Sequence, residues 1–164
     1  MSADIDETMD ASLPPEQEVE RVSCLKAAAA ARVRAPEDII IASDTIVVID
    51  GRVLGKPHST EEAKKMLRSL SGRAHQVMTG LCVRQGERVH SEVSITAVHF
   101  RALSDREIDA YVASGEPMDK AGAYGIQKLG ALLVERVEGD YFTVMGLPVC
   151  RLGQALREFG VSVL

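Results

Sequence analysis

The sequence predicts an α/β fold in which a mixed, twisted sheet is flanked by helices. Three observations lead there. Residues 39–49 form a nearly continuous β-branched apolar run. Two long strand-like stretches, 76–84 and 88–100, are joined by the turn Gln85-Gly86-Glu87. Between and around these strands lie segments with the apolar spacing of helices, two of them opened by Ser-x-x-Glu capping signatures. Hairpins alternating with helices fit a mixed sheet better than a purely parallel one.

Residues 1–15 read as a loop closed by Pro14 and Pro15. A helix is expected over 16–34. Its first residues are acidic, as the positive end of a helix dipole favours, and five consecutive alanines sustain it. Val19, Val22 and Leu25 are assigned to its inner face, and Lys26, four after Val22, falls there too. The run 39–49 reads as a strand buried on both faces, interrupted by Ser43-Asp44-Thr45. Asp50-Gly51 is a strong two-residue hairpin signal, with a short return strand over 52–54.

Ser59 and Glu62 spell a capping box before the stripe Ala63, Met66, Leu67 and Leu70. Ser104 to Glu107 spells a second, opening a short helix through Ala113. Residues 115–130 read as a loop punctuated by Gly115, Gly122, Gly125 and Gly130. A strand is expected over 132–137, then a turn at Glu138-Gly139-Asp140. Pro148 is placed at the first position of a last helix that buries Val149, Leu152, Ala155, Leu156 and Phe159.

Composition bounds the function. The 164 residues suffice for one domain, and 46% are hydrophobic, as in a globular chain. The net charge of −5 gives no broad footprint for a nucleic-acid polymer, so an anionic ligand must be held by a few local cations. Cys24, Cys82 and Cys150 are widely spaced, form no CxxC pair, and suit a reducing cytosol. The acidic start is not a signal peptide, and no apolar run reaches the roughly 20 residues of a membrane span.

Asp44 is the most informative single residue, because an ionised carboxylate in an apolar strand is costly unless paired or bound to metal. Two readings stand: a strand-end aspartate capping a turn, or a metal ligand or general base. A two-residue turn at Asp50-Gly51 sets Thr45 opposite Lys56, and a bulge at Gly55 would turn Lys56 towards Asp44. Lys26 is either a snorkelling lysine or a cation aimed into a pocket. Asp4, Asp6 and Glu7 are either solvated or a source of oxygen ligands for Mg²⁺. The stretch from Asp119 and Lys120 to Gln127 is rich in small residues that let backbone amides approach a ligand, though it matches no Walker A or dinucleotide fingerprint. His58, His75, His90 and His99 show no metal-ligand spacing and read as structural or exposed.

Several blocks together resemble the Maf family of nucleotide pyrophosphatases. They are Asp4-Ile5-Asp6-Glu7, Lys26-Ala27, Ser43-Asp44-Thr45-Ile46-Val47-Val48, Leu54-Gly55-Lys56-Pro57, Leu70-Ser71-Gly72 and His75-Gln76-Val77-Met78-Thr79-Gly80. They continue with Gly115-Glu116-Pro117, Asp119 through Gln127, Gly139-Asp140-Tyr141 and Val144 to Pro148, in order along nearly the whole chain. The resemblance implies a Maf/inosine-triphosphatase-like fold, and cleavage of a nucleoside triphosphate to the monophosphate and pyrophosphate with a divalent metal, Mg²⁺ or Mn²⁺. It implies that Asp44 is the proton acceptor and a metal ligand with Glu7, and that Lys26, Lys56 and Lys120 meet the triphosphate. Thr45 and Gln127 would select the base.

Ser-Asp-Thr combined with Ala-Tyr-Gly-Ile-Gln resembles the dTTP/UTP branch, and the family is similar in being cytosolic and dimeric. Two departures accompany the match. The family opens with a strand, a Ser-x-x-Arg segment and a helix, whereas Met1 stands just before the Asp-x-Asp-Glu loop. That βα unit is thus expected to be missing, leaving an open strand edge and a rival function as a non-catalytic nucleotide binder or regulator. Lys128 stands where a glycine usually follows Gln127.

Overall fold

The computed structural model describes residues 10, 12–162 and 164. The expectations for Asp4, Asp6 and Glu7 therefore fall outside the described residues. Five strands, β1 (Ile40–Ile49), β2 (Arg52–Leu54), β3 (Ala74–Gln85), β4 (Arg88–Phe100) and β5 (Val134–Glu138), form one sheet in the order β2-β1-β3-β4-β5. Helices α1 (Pro15–Ala31), α2 (Thr60–Leu70), α3 (Asp105–Ala113), α4 (Tyr141–Met145) and α5 (Val149–Glu158) surround it.

The layered α/β architecture is as expected, but the sheet is not mixed: every described pairing is antiparallel. The reason lies in the connections. Hairpins link β1 to β2 and β3 to β4. β2 and β3 run in the same direction and are joined through α2, as a parallel crossover requires, but β1 lies between them. The parallel relation exists only between next-nearest strands.

Period-two alternation sorts the core onto two faces. Ile46, Val48 and Met78 pack with Val19 of α1 on one face. Val47, Ile49, Val77, Val98 and Phe100 pack with Ala63, Leu67 and Leu70 of α2 and with Ile108 and Val112 of α3 on the other. Leu81 and Val83 meet Ala155 of α5 and Phe159 just past its end.

Several boundaries differ from the sequence reading, for identifiable reasons. α1 ends at Ala31, and Leu25 is exposed because the inner stripe runs through Val19, Val22, Ser23 and Ala27. β1 is buried only from Ile46 to Ile49; Ile41 is exposed, because β2 ends opposite Val47 and among the described residues nothing pairs with that side of β1 further back. At α2 the Ser59 hydroxyl accepts from the Glu62 amide, but Glu62 reaches the His58 amide rather than closing the box on Ser59. The box at Ser104 and Glu107 is complete.

α4 was not foreseen. Its start is capped by Asp140, whose carboxylate accepts from the Phe142 and Thr143 amides. Pro148 is the N-cap of α5 rather than its first residue, which leaves Val149 exposed.

His75 sits in the core at 3% exposure, edge-on to Phe100 and Tyr124, with Nε2 2.8 Å from the Tyr124 hydroxyl. Burial, reinforced by the charge of His99, pushes its pKa from the ordinary 6.5 down to about 4. A base whose folded pKa is depressed contributes stability that is complete above its unfolded pKa and is lost as pH falls through the folded value. Stability attributable to His75 should therefore hold above pH 6.5 and decline by roughly 3 kcal/mol between 6.5 and 4. Denaturant unfolding of wild type and His75→Gln across that range measures it. A stability difference between the two that does not change with pH would remove His75 from the acid response.

Candidate functional site

The site is organised by the register of β1 on β3. Asp44 pairs with Gly80 and Thr45 with Thr79, with no irregularity between them. Consecutive residues of a strand face opposite sides, so the Asp44 and Thr45 side chains leave β1 on different faces.

On the α1 face, Lys26 Nζ donates to Asp44 Oδ1 at 2.6 Å. Both side chains are largely withdrawn from water, at 23% and 17% exposure. That is far enough from bulk solvent for the attraction to exceed that of a surface pair. Lys56 is not the partner that the bulge at Gly55 was expected to supply. The β1–β2 ladder stops at Val47 and Leu54 without such a bulge, and the Gly55 carbonyl is instead held by the Gly122 amide at 3.0 Å.

On the opposite face lies a cavity of about 440 Å³, a size that suits a small organic ligand. Thr45, Lys56, Lys120, Tyr124, Gln127 and Lys128 all border it. The loop after Gly115 forms one wall as three short 3₁₀ turns, at 116–119, 121–123 and 128–133. Gly122, at φ +69°, lies against Val47, whose methyl carbons would be 3.0 Å from any Cβ there. Gly125 leaves room for the stem of Lys120, whose Nζ donates to Asp119 Oδ1 at 2.5 Å and to the Glu116 carbonyl at 3.2 Å.

The carboxylate of Glu116 ties the wall together. Its Oε1 accepts from the Tyr111 hydroxyl and the Gly130 amide, and its Oε2 from the Leu129 amide. Lys128 sits at φ +53°, a left-handed conformation that favours glycine. Three lysines on a single cavity supply the local cations that a chain of net charge −5 needs to hold an anion.

The structure thus brings the expected residues together as two groups, Lys26 with Asp44 and Thr45 with Lys56, Lys120 and Gln127, back to back across β1. Among the described residues no three His, Cys, Asp or Glu side chains gather as a metal-holding cluster.

Comparison with known proteins identifies the family. Residues 1–159 match the family model described as Maf-like protein. The chain is 47% identical over 164 residues to the dTTP/UTP pyrophosphatase of Syntrophomonas wolfei, covering 99% of this chain and 86% of that one. It is 50% identical over 161 residues to the protein of that name from Moorella thermoacetica, covering 97% and 82%. With that from Vibrio cholerae it shares 50% over 155 residues, covering 94% and 83%. The chain belongs to the Maf-like family.

Two contributions to this Maf-like site escaped the sequence reading. Glu116 and Tyr124 stand in the glycine-punctuated loop, but nothing in their spacing tells which polar residue there turns inward. Gly80 stands in a family block, yet its role appears only in three dimensions. A Cβ at Gly80 would lie 2.4 Å from the Val19 carbonyl oxygen and 2.8 Å from its carbon. The backbone of α1 thus rests directly on β3, beside Asp44's own cross-strand partner, and this approach sets the height from which Lys26 reaches Asp44. Gly80→Ala should therefore destabilise the fold by at least about 2 kcal/mol, since the obstructing atoms are backbone and cannot rotate away. Chemical denaturation reads this directly, and unchanged stability would show that α1 does not sit so close.

The cysteines, scattered in sequence, also partly converge. Cys24 of α1 and Cys82 of β3 influence each other's ionisation, which favours the Cys24 thiolate and pushes the Cys82 thiol up. Cys150 is exposed.

Proposed function

We propose that this chain hydrolyses dTTP and UTP between the α- and β-phosphates, releasing the monophosphate and pyrophosphate. The observation that carries the proposal is the pair Lys26–Asp44 standing back to back with a lysine-bordered cavity on the same stretch of β1. The relatives named dTTP/UTP pyrophosphatases, at about half identity over most of their length, support the choice of substrate.

Asp44 acts as the proton acceptor. Its Oδ1 is held by Lys26, while its Oδ2 has no hydrogen-bond partner among the described residues and is available to a water molecule. The carboxylate takes a proton from that water as the water oxygen bonds to the α-phosphorus and the bond to the bridging oxygen breaks. Lys26, Lys56 and Lys120 offset the charge that develops on the phosphates and on the departing pyrophosphate. Thr45 and Gln127 meet the base in the cavity.

A divalent cation, Mg²⁺ or Mn²⁺, when bound, neutralises triphosphate charge. A carboxylate oxygen without a hydrogen-bond partner among the described residues is a donor of the right chemistry, because such ions commonly take one or two carboxylates and complete their shell with phosphate oxygens and water. Asp44 would hold the ion, together with Glu7, which lies outside the described residues. The same reading takes residues 1–164 as a single domain acting in the cytosol as a homodimer.

Pyrophosphate release in the presence of Mg²⁺ or Mn²⁺, compared across dTTP, UTP, CTP and the purine triphosphates, tests the proposal. Release is expected from dTTP and UTP above the others. Asp44→Asn should lower that turnover by about 10²–10⁴-fold while leaving the circular dichroism spectrum unchanged. Wild-type rates in this variant would remove Asp44 from the chemistry, and equal release from every nucleotide would overturn the substrate assignment.

A further inference from the structure

Thr45 and Thr79 are cross-strand partners with their hydroxyl oxygens 2.8 Å apart. Geometry at that contact alone leaves the direction of the hydrogen bond open. A second contact resolves it. Thr79 is fully buried, and its hydroxyl donates to the backbone carbonyl of Thr143 at 2.8 Å.

A threonine hydroxyl has one proton and two lone pairs. With its proton committed to Thr143, the Thr79 oxygen can only accept from Thr45. The Thr45 proton therefore points into the protein. What Thr45 shows the cavity is a lone pair.

Thr143 is itself well anchored. Its hydroxyl contacts Ser94 Oγ at 2.7 Å and Asp140 Oδ2 at 2.8 Å, and its amide donates to the same Asp140 oxygen at 3.0 Å. Because α4 is short, the Thr143 carbonyl takes the Gly146 amide and still has a lone pair for Thr79.

We infer that Thr79 is a positioning residue for base choice: by fixing the proton of Thr45, it makes the cavity wall a hydrogen-bond acceptor that takes a pyrimidine with a proton on N3. Uracil and thymine carry an N3–H donor. Cytosine presents a bare N3 acceptor, and lone pair would face lone pair. The relay thus discriminates by leaving a buried polar pair unmatched, which costs more than a missing contact. This rests on the reading of the cavity as the base pocket, and it adds the atom-level reason for the choice.

Thr79→Val keeps the shape of the side chain but frees the Thr45 proton to rotate towards the cavity. Thr79→Ser keeps the relay. The UTP-to-CTP ratio of kcat/KM should fall at least about tenfold in Thr79→Val and should be preserved in Thr79→Ser. An unchanged ratio in Thr79→Val, or equal loss in both variants, would overturn the relay.

Binding of UMP, CMP and N3-methyl-UMP to the wild-type protein by calorimetry separates this from the hydrolysis reading and depends on no variant. UMP should bind more tightly than both others. If nothing is hydrolysed yet UMP is preferred, the enzymatic proposal fails and the relay stands. Equal affinity for all three ligands sinks the relay, whatever the turnover.

Discussion

The uninterrupted register of β1 on β3 is the constraint on which the site depends. Nine consecutive pairs, from Ile40 with Arg84 to Val48 with Gln76, fix which side chains face α1 and which face the cavity. A slip of one residue would exchange the two sets entirely. Asp44 would then enter the cavity, Thr45 would face Lys26, and the buried halves of β1 would swap helices. The hydrophobic identity of Ile46, Val47, Val48 and Ile49 does not forbid this, since all four are apolar. The polar residues do. Thr45 needs Thr79, Asp44 needs Lys26, and α1 needs a residue without a side chain at Gly80. The polar residues of β1, which the proposed function uses, therefore also define the register.

The same logic explains why α1 contributes so little amphipathic contrast. Its contact with the sheet is made at a glycine by backbone rather than by a deep layer of large side chains. Val19, Val22, Ser23 and Ala27 suffice as a narrow stripe. Glu18, buried in that stripe, is tolerated because Arg21 and the Asp10 amide take its carboxylate oxygens. A close approach gives Lys26 a short reach to Asp44.

Much of this was legible in the sequence, and the limits are instructive. β4 spans the expected residues, and both hairpins were read from Asp50-Gly51 and Gln85-Gly86-Glu87, because turn chemistry and alternation are local signals. The antiparallel character of the whole sheet was not legible. It depends on β1 inserting between β2 and β3, a tertiary choice that no local pattern encodes. Of the candidate residues, Lys26 meets Asp44 while Thr45, Lys56, Lys120 and Gln127 border one cavity, but the hairpin arithmetic gave Asp44 the wrong lysine. The arithmetic was right as far as Val47 and Leu54 and failed where the ladder stopped, because Gly55 is claimed by the Gly122 amide from 67 residues further along the chain. Thr79 carried no signal of its own. A threonine on a strand is ordinary, and its significance comes from Thr143, brought in by α4.

Dividing the chemistry between two faces of one strand has a physical advantage. On the proposed function, a carboxylate that accepts a proton and a pocket that reads a neutral base want different surroundings. Asp44 has a cation beside it on the α1 face, whereas Thr45 borders the cavity with its hydroxyl tied to Thr79. Placing the two on successive residues keeps them one backbone step apart while the sheet itself separates their environments. Thr45 can then sit in a hydroxyl relay with Thr79, and Asp44 can pair with Lys26, without either compromising the other. On the proposed function, a ligand with a base at one end and phosphates at the other would engage both sides of β1.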